Sequence, residues 1–330
     1  MPVVGITHDQ AGADRHFSPG DLARLRTAAE VRVLGPCRDP GFADRLADVE
    51  VLLGSWGMAR LDAALLAKAP RLRAICYAAG SVKGFVTDES YARGVVVTTA
   101  MHANALPVVE WTLAIMTLAS KNGLLAMERI RAGKREAFHV HEPACTGMYD
   151  ITVGIIGFGA VGRLMVERLR DFAVRIAVHD PYADPVAIAA AGGEAMSLLE
   201  LAAASHIVSL HAPDLPQTRG MISRQVFAAM RTGSIFINTA RGRLVDEAAL
   251  IDELRAGRIS AYLDVTHPEP PAAGSPLYDL PNCWLSPHRA GSYAQEVRRM
   301  GRFAIDECLA ILAGRAPRAA VTQAMLATMA

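Results

Sequence analysis

Cysteine, charge imbalance and long apolar runs are all scarce in this chain of 330 residues, and each scarcity removes a class of explanation. The five cysteines, Cys37, Cys76, Cys145, Cys283 and Cys308, are odd in number, widely spread and without a Cys-x-x-Cys pair, which argues against a disulfide frame and a zinc site. Free thiols in a cytoplasmic protein are expected. A formal net charge of +1, with no Lys/Arg block, leaves no basic field for nucleic acid and no polybasic stretch for a membrane surface. The most membrane-like segment, Ala103 to Ser120, contains Glu110 and is amphipathic, so a buried helix is expected there. The start, Met1-Pro-Val-Val-Gly-Ile-Thr-His-Asp, lacks the basic beginning and apolar core of a signal peptide. No solenoid-type repeat or low-complexity tract is present. What remains is a chain with 52% hydrophobic and 20% charged residues, the composition of a compact globular protein. Its length exceeds what one core usually serves, so two domains and a small-molecule partner are expected.

The most informative stretch present is Ile151-Thr-Val-Gly-Ile-Ile-Gly157-Phe158-Gly159-Ala160-Val161-Gly162, which reads as strand, tight turn and helix. In such a turn Gly157 permits the bend, Gly159 lets the backbone approach a pyrophosphate, and Gly162 lets the helix pack close to the strand. The anion sits at the helix N-terminus. Val161, Leu164, Met165 and Leu169 recur at helical spacing, and a second apolar strand, Val174 to Val178, leads to Asp180, 23 residues after Gly157. That is close to the ~20-residue offset at which a carboxylate reaches the ribose hydroxyls of NAD. Asp180 would repel a 2′-phosphate, and Pro181 supplies no cation for one, so NAD is expected over NADP.

The rest of the chain alternates β and α patterns. Strands are expected at Val3 to Ile6, Val31 to Leu34, Val49 to Gly54, Leu72 to Tyr77 and Val95 to Thr98, and again at Val174 to Val178, Ile207 to Leu210, Ser234 to Asn238, Ser260 to Val265 and Cys283 to Ser286. Asn104 is placed as the cap of a helix with Pro107 in its first turn, and Asn122-Gly123 as its stop. Asp246 caps another helix that ends at Gly257. The loop Gly54-Ser55-Trp56-Gly57-Met58 reads equally as a functional loop or as a turn whose tryptophan packs. Ala78-Ala79-Gly80-Ser81-Val82 is a small-residue loop whose successive N–H groups suit an anion. His139-Val140-His141-Glu142 offers three side chains on a loop with no fourth ligand, so no metal is expected.

Ligands of open α/β sheets gather at the carboxyl ends of strands. Those ends carry His211-Ala212-Pro213, Asn238-Thr239-Ala240-Arg241-Gly242, Asp264 to Pro270, and Ser286-Pro287-His288-Arg289-Ala290-Gly291. Arg241, Glu269 and His288 supply a cation, a carboxylate and an imidazole. For hydride transfer to a 2-oxo acid, a guanidinium holds the carboxylate and polarises the carbonyl, while an imidazole moves the proton. A neighbouring carboxylate favours the charged ring and fixes its orientation. Taken singly, Arg241 also reads as a surface cation, Glu269 as a solvated acid and His288 as a core histidine.

Together these segments resemble the D-isomer-specific 2-hydroxyacid dehydrogenase family over nearly the whole chain. The resemblance implies two doubly wound parallel-sheet, Rossmann-like α/β domains, the substrate domain discontinuous over 1–101 and 292–330 and the NAD-binding domain over 102–291. It implies that Arg241 binds substrate, that Glu269 pairs with the acid/base His288, and that Asp264 holds the nicotinamide carboxamide. Around the cofactor it places Gly157 to Gly162, Asp180, His211, Ala212, Pro213, Thr218, Thr239, Ala240 and Gly291. On the substrate it places the Gly80-Ser81-Val82 backbone, with Trp56 beside the R group. A homodimer through the helix starting at Asn104 is also implied. Two departures stand out: Thr266-His267 where the family often has an aromatic and an acid, and Lys83 where many members are acidic. Formate dehydrogenases of the family use an amide at the position of Glu269, which disfavours that activity here. The competing reading is a non-catalytic dinucleotide-sensing scaffold like the corepressors that resemble this family; the complete Arg241, Glu269 and His288 set argues for turnover.

Overall fold

Five short β-branched runs in the first third of the chain, each followed by a turn and a helical segment, pair side by side because parallel strands need such crossovers. They are β1 (Val3–Thr7), β2 (Glu30–Gly35), β3 (Val51–Gly54), β4 (Ala74–Tyr77) and β5 (Val96–Thr99), in the sheet order β2-β1-β3-β4-β5 with every pair parallel. The computed structural model describes residues 1–8, 12–139 (backbone only for 137–139) and 146–329. The chain divides into two units, one of Met1–Ala105 with Ser292–Ala330 and one of Leu106–Gly291.

In the first unit the strands bury both faces, as parallel strands flanked by helices do. Val4, Ile6, Val51, Leu53, Ala74 and Cys76 meet the helix Val297–Leu312 through Val297, Met300, Ala304, Ile305 and Cys308. That helix lies so close to the segment after β1 that a Cβ on Gly301 would stand 1.8 Å from the His16 carbonyl oxygen. The alternate residues Val3, Leu52, Ile75 and Val97 form the opposite core. Residues near the C-terminus cover the β5 edge: Ala320 bridges antiparallel to Thr98, held by the buried Glu307 carboxylate, which accepts from the N–H of Ala319 at 2.9 Å. The order reverses between β1 and β3, so the ends of those strands form a topological switch point.

The second unit holds seven parallel strands, β6 (Tyr149–Ile156), β7 (Ala173–His179), β8 (Glu194–Ala195), β9 (Ile207–Leu210), β10 (Ser234–Asn238), β11 (Ile259–Leu263) and β12 (Cys283–Leu285), ordered β12-β11-β10-β9-β6-β7-β8. Its chain leaves β8 at one edge and returns at β9 beside β6, which makes the β6/β9 ends its switch point. The glycine loop follows β6 at that point. Asp246 caps the helix Glu247–Arg255, its Oδ1 accepting from the Ala249 N–H at 3.0 Å, as its sequence position requires.

Several local expectations are corrected. The two-residue strand β8 carries too few residues for any periodicity and was not foreseen. The helix placed after Asn104 begins three residues earlier, at Met101, whose N–H donates to the Thr99 hydroxyl. Asn104 is therefore not its cap; its Oδ1 accepts from the Ser292 N–H at 3.0 Å. Pro107 then lies inside the helix rather than in its first turn. It removes one i→i−4 bond there, and Ala105 and Leu106 fall in different units. Asn122 adopts φ 48° as the turn before the next helix, Gly123–Gly133. Val140, His141, Glu142 and Cys145 lie outside the described residues, and among the described ones no cluster of three or more His, Cys, Asp or Glu could hold a metal. No single described helix is long and apolar enough to cross a membrane; only the pair Met101–Ala119 and Gly123–Glu136, bent by 59°, passes by length and composition.

Candidate active site

The glycine loop has the conformation its spacing asks for. Gly157 sits at φ 95°, and a Cβ there would come within 2.7 Å of the backbone between His211 and Ala212, so any side chain is excluded twice over. On Gly162 a Cβ would meet the Gly157 carbonyl oxygen at 1.9 Å, which lets the helix Ala160–Leu169 start tight against the strand. Above Gly159 a Cβ would find no heavy atom within 4 Å: the outer side of the loop is open where a pyrophosphate would lie. Asp180, at the end of β7, accepts from the Phe158 N–H at 2.7 Å through Oδ2 and from the Tyr182 N–H at 2.9 Å through Oδ1. Those bonds fix the carboxylate beside the loop and leave acceptor capacity for ribose hydroxyls. The residues present fit a dinucleotide.

The neighbouring strand ends are braced by their own side chains. His211 Nε2 lies 2.9 Å from the Ser209 hydroxyl, and burial pushes the His211 imidazole down to about 3, so it is neutral at physiological pH. Thr218 donates to the Pro213 carbonyl at 2.6 Å and accepts from the Leu215 N–H at 2.9 Å, which closes the loop after His211, Ala212 and Pro213. The Thr239 hydroxyl lies 3.2 Å from that of Thr112, and Ala240 is buried next to it.

Asn238, buried at the end of β10, organises the turn that carries Arg241. Its Oδ1 accepts from the Ala240 N–H at 2.9 Å and its Nδ2 donates to the Arg241 carbonyl at 3.0 Å. The exposed Arg241 guanidinium donates from Nη1 to the Ala240 carbonyl at 2.6 Å. Gly242 then presses on the next loop, since a Cβ there would stand 2.0 Å from the Thr266 carbonyl carbon. That next loop holds Glu269, with the Thr266 hydroxyl donating to the Pro268 carbonyl at 2.8 Å.

Glu269 and His288 are brought together directly: His288 Nδ1 is 2.7 Å from Glu269 Oε1, with about half of each side chain exposed. His288 adopts φ 52°, a conformation that costs a non-glycine residue about 1 kcal/mol or more. Asp264, 3% exposed, holds it there. Its carboxylate accepts from the Ser286 hydroxyl, from the Arg289 N–H at 2.7 Å and from the Ala290 N–H at 2.9 Å, and its carbonyl accepts from the His288 N–H at 3.0 Å. The bracing roles of Asn238, Asp264 and Ser286 escape a motif reading, because their partners sit on turns that look generic in sequence.

In the first unit, Trp56 follows β3 at the switch point and is 36% exposed. Its ring makes an edge contact with the buried His16 ring, 5.2 Å between centroids, and the Arg15 guanidinium stands 5.2 Å over it. Arg15 is a cation beside this loop that the sequence pattern did not single out. After β4, the Thr99 hydroxyl donates to the carbonyls of Ala79 and Gly80, which turns the carbonyls inward. Among the described residues the N–H groups of Gly80, Ser81 and Val82 meet no hydrogen-bond acceptor, the state in which such a loop binds an anion.

The chain is similar to known proteins over most of its length. Residues 113–290 match the family described as D-isomer specific 2-hydroxyacid dehydrogenase, NAD binding domain. The D-3-phosphoglycerate dehydrogenase of Mycobacterium bovis is 34% identical over 318 residues, 95% of this chain, but the chain spans only 57% of that relative's length. The glyoxylate reductase of Korarchaeum cryptofilum is 30% identical over 265 residues, 80% of each chain. In fold, a crystal structure of a phosphoglycerate oxidoreductase from Rhizobium etli superposes with a TM-score of 0.84 at 24% identity, covering 99% of this chain and all of that one.

Proposed function

Because the chain belongs to the D-isomer-specific 2-hydroxyacid dehydrogenase family, we propose that it is an NAD-dependent 2-oxoacid reductase and D-2-hydroxyacid dehydrogenase with Arg241, Glu269 and His288 as its catalytic residues. The observation that carries the reading is the 2.7 Å contact between His288 Nδ1 and Glu269 Oε1. A carboxylate accepting at Nδ1 assigns the proton there and leaves Nε2 as the nitrogen that exchanges a proton with substrate. In the reducing direction His288 gives the Nε2 proton to the carbonyl oxygen, and Glu269 stabilises the ring while it is charged. Arg241, planar and permanently charged, holds the substrate carboxylate and polarises the adjacent carbonyl. A nicotinamide held by these residues would supply the hydride, from its C4 to the substrate C2. Asp180 sets the preference for NAD(H), and Asp264, with one acceptor position left on its carboxylate, is the partner for the carboxamide.

On the substrate, the Gly80, Ser81 and Val82 N–H groups bind the carboxylate and Trp56 supplies apolar area for the R group. The preferred substrate is a small, unphosphorylated 2-oxo acid. A phosphate ester usually recruits several charge-assisted donors, whereas the two substrate-side loops bring only Lys83, with Arg60 just beyond the first and Arg15 beside Trp56. We place the enzyme in the cytoplasm, in keeping with the free thiols of Cys37, Cys76, Cys283 and Cys308. We also propose a homodimer built on the helix Met101–Ala119, on which Leu106, Trp111, Ile115 and Leu118 are only partly buried.

The test is NADH oxidation with glyoxylate, hydroxypyruvate, pyruvate and 3-phosphohydroxypyruvate. His288→Ala is expected to lose roughly 10²- to 10⁴-fold in kcat with NADH binding kept. Near-normal turnover by that variant removes His288 from the mechanism, and a best kcat/KM with the phosphorylated substrate overturns the charge argument.

A further inference from the structure

Within the glycine loop and the first turn of its helix, from Gly157 to Arg163, Arg163 is the one charged side chain. Its guanidinium carbon stands 4.3 Å from the centroid of the Phe158 ring. Phe158 is a firm support: it is 2% exposed, and its N–H is held by the Asp180 carboxylate. Arg163 itself is exposed, and among the described residues no carboxylate pairs with it. A cation at the positive end of a helix is unfavourable without an anion, because the helix N-terminus already carries about half a positive charge. Stacking on an aromatic face is a gain of the same order at an exposed site, so the Phe158 ring holds the guanidinium at a helix end where a cation is otherwise disfavoured.

We propose that Arg163 is a cofactor-binding residue that donates to the dinucleotide pyrophosphate, a role that rests on the dinucleotide reading above. Helical side chains lean toward the N-terminus of their helix, which carries the fourth helical residue back over the turn at Gly159. That turn has its open side where the anion would lie. Stacked on Phe158, the planar guanidinium keeps its N–H groups in the ring plane and available to phosphate oxygens in the paired geometry that Arg favours. Because the contact with Phe158 already orders the side chain, little rotamer freedom remains to be lost on binding. Ala160 and Val161 bring no charge of their own, so the loop's side-chain electrostatics toward the anion reside in Arg163.

The experiment compares binding of ADP-ribose and of adenosine by calorimetry in the wild type, Arg163→Met and Arg163→Lys, at low and at raised salt. Methionine keeps a flexible apolar stem against Phe158 without the charge. The expected result is an ADP-ribose Kd about tenfold weaker in Arg163→Met, the least that a lost charge-assisted hydrogen bond is worth. Adenosine binding stays unchanged, Arg163→Lys recovers part of the loss, and the salt dependence of ADP-ribose binding flattens in the methionine variant. Unchanged ADP-ribose affinity in Arg163→Met overturns the proposal while leaving the dinucleotide site intact. Equal weakening of both probes also overturns it, since it reports a distorted loop. A wild type that binds neither probe removes the dinucleotide reading, and Arg163's role with it.

Discussion

Asp264→Asn separates two roles that one carboxylate could hold. In the structure Oδ1 accepts from the Ser286 hydroxyl and the Arg289 N–H, and Oδ2 from the Ala290 N–H. An amide can keep only one of these oxygens, and its NH2 group must face a donor at the other. The loss is at least one charge-assisted bond of about 1.5–3 kcal/mol, with a buried N–H left unmatched at about 1–3 kcal/mol. The turn it holds already carries roughly 1–3 kcal/mol of strain in the left-handed conformation of His288. The two quantities are comparable, so the turn relaxes and His288 leaves its position beside Glu269. We expect kcat to fall about 100-fold, equivalent to about 2.7 kcal/mol of barrier. Stopped-flow or steady-state NADH oxidation gives kcat, and fluorescence titration gives the NADH Kd. A fall in kcat at constant Kd identifies the bracing role. A raised Kd with kcat within threefold of wild type would refute the reasoning and leave Asp264 as a carboxamide ligand alone.

Three further outcomes are expected. With Asp180 fixed beside the glycine loop by two backbone N–H groups, kcat/KM for NADH should exceed that for NADPH by at least tenfold, and parity would remove Asp180 as the determinant. Trp56→Ala should shift relative kcat/KM away from longer 2-oxo acids toward glyoxylate by about 0.8 kcal/mol per methylene no longer covered, and an unchanged order of preference puts Trp56 outside the pocket. Acid should destabilise the protein through His211: its folded value of about 3 lies below the ordinary value near 6.5, so only the unfolded chain gains a proton as pH falls below that value. Stability is fully present above pH ~6.5 and falls by up to ~1.4 kcal/mol per pH unit below it, an upper bound because His211 keeps some exposed surface. Urea midpoints at pH 7.5 and 5 for the wild type and His211→Gln test this, and an identical acid slope in the two proteins rules His211 out.

What could be read in the sequence was whatever chemistry the backbone repeats locally. Gly157, Gly159 and Gly162 constrain a single turn, and Arg241, Glu269 and His288 each follow a strand, so their types and places are visible from neighbours a few residues away. What stayed hidden depends on contacts remote in the chain. Arg15 meets Trp56 across 41 positions, and Asp264 meets the Arg289 N–H across 25. The start of the helix at Met101 was missed because Asn104 is the stronger capping residue by type, while the Thr99 hydroxyl reaches the N–H first. Arg163 looks like any solvated helix residue until the Phe158 ring beneath it is located.

The discontinuity of the first unit has a consequence for the order of synthesis. When residue 291 has been made, the second unit is whole, whereas the first still lacks the helix that covers Val4, Ile6, Val51 and Leu53. Its first 105 residues, an apolar sheet face among them, must wait while 186 more are translated. At ~5–20 residues per second that is roughly 10–40 seconds of exposure. During that interval the growing chain is a natural client for chaperones. A chain stopped before Val297 should give a folded second unit joined to a protease-sensitive first one.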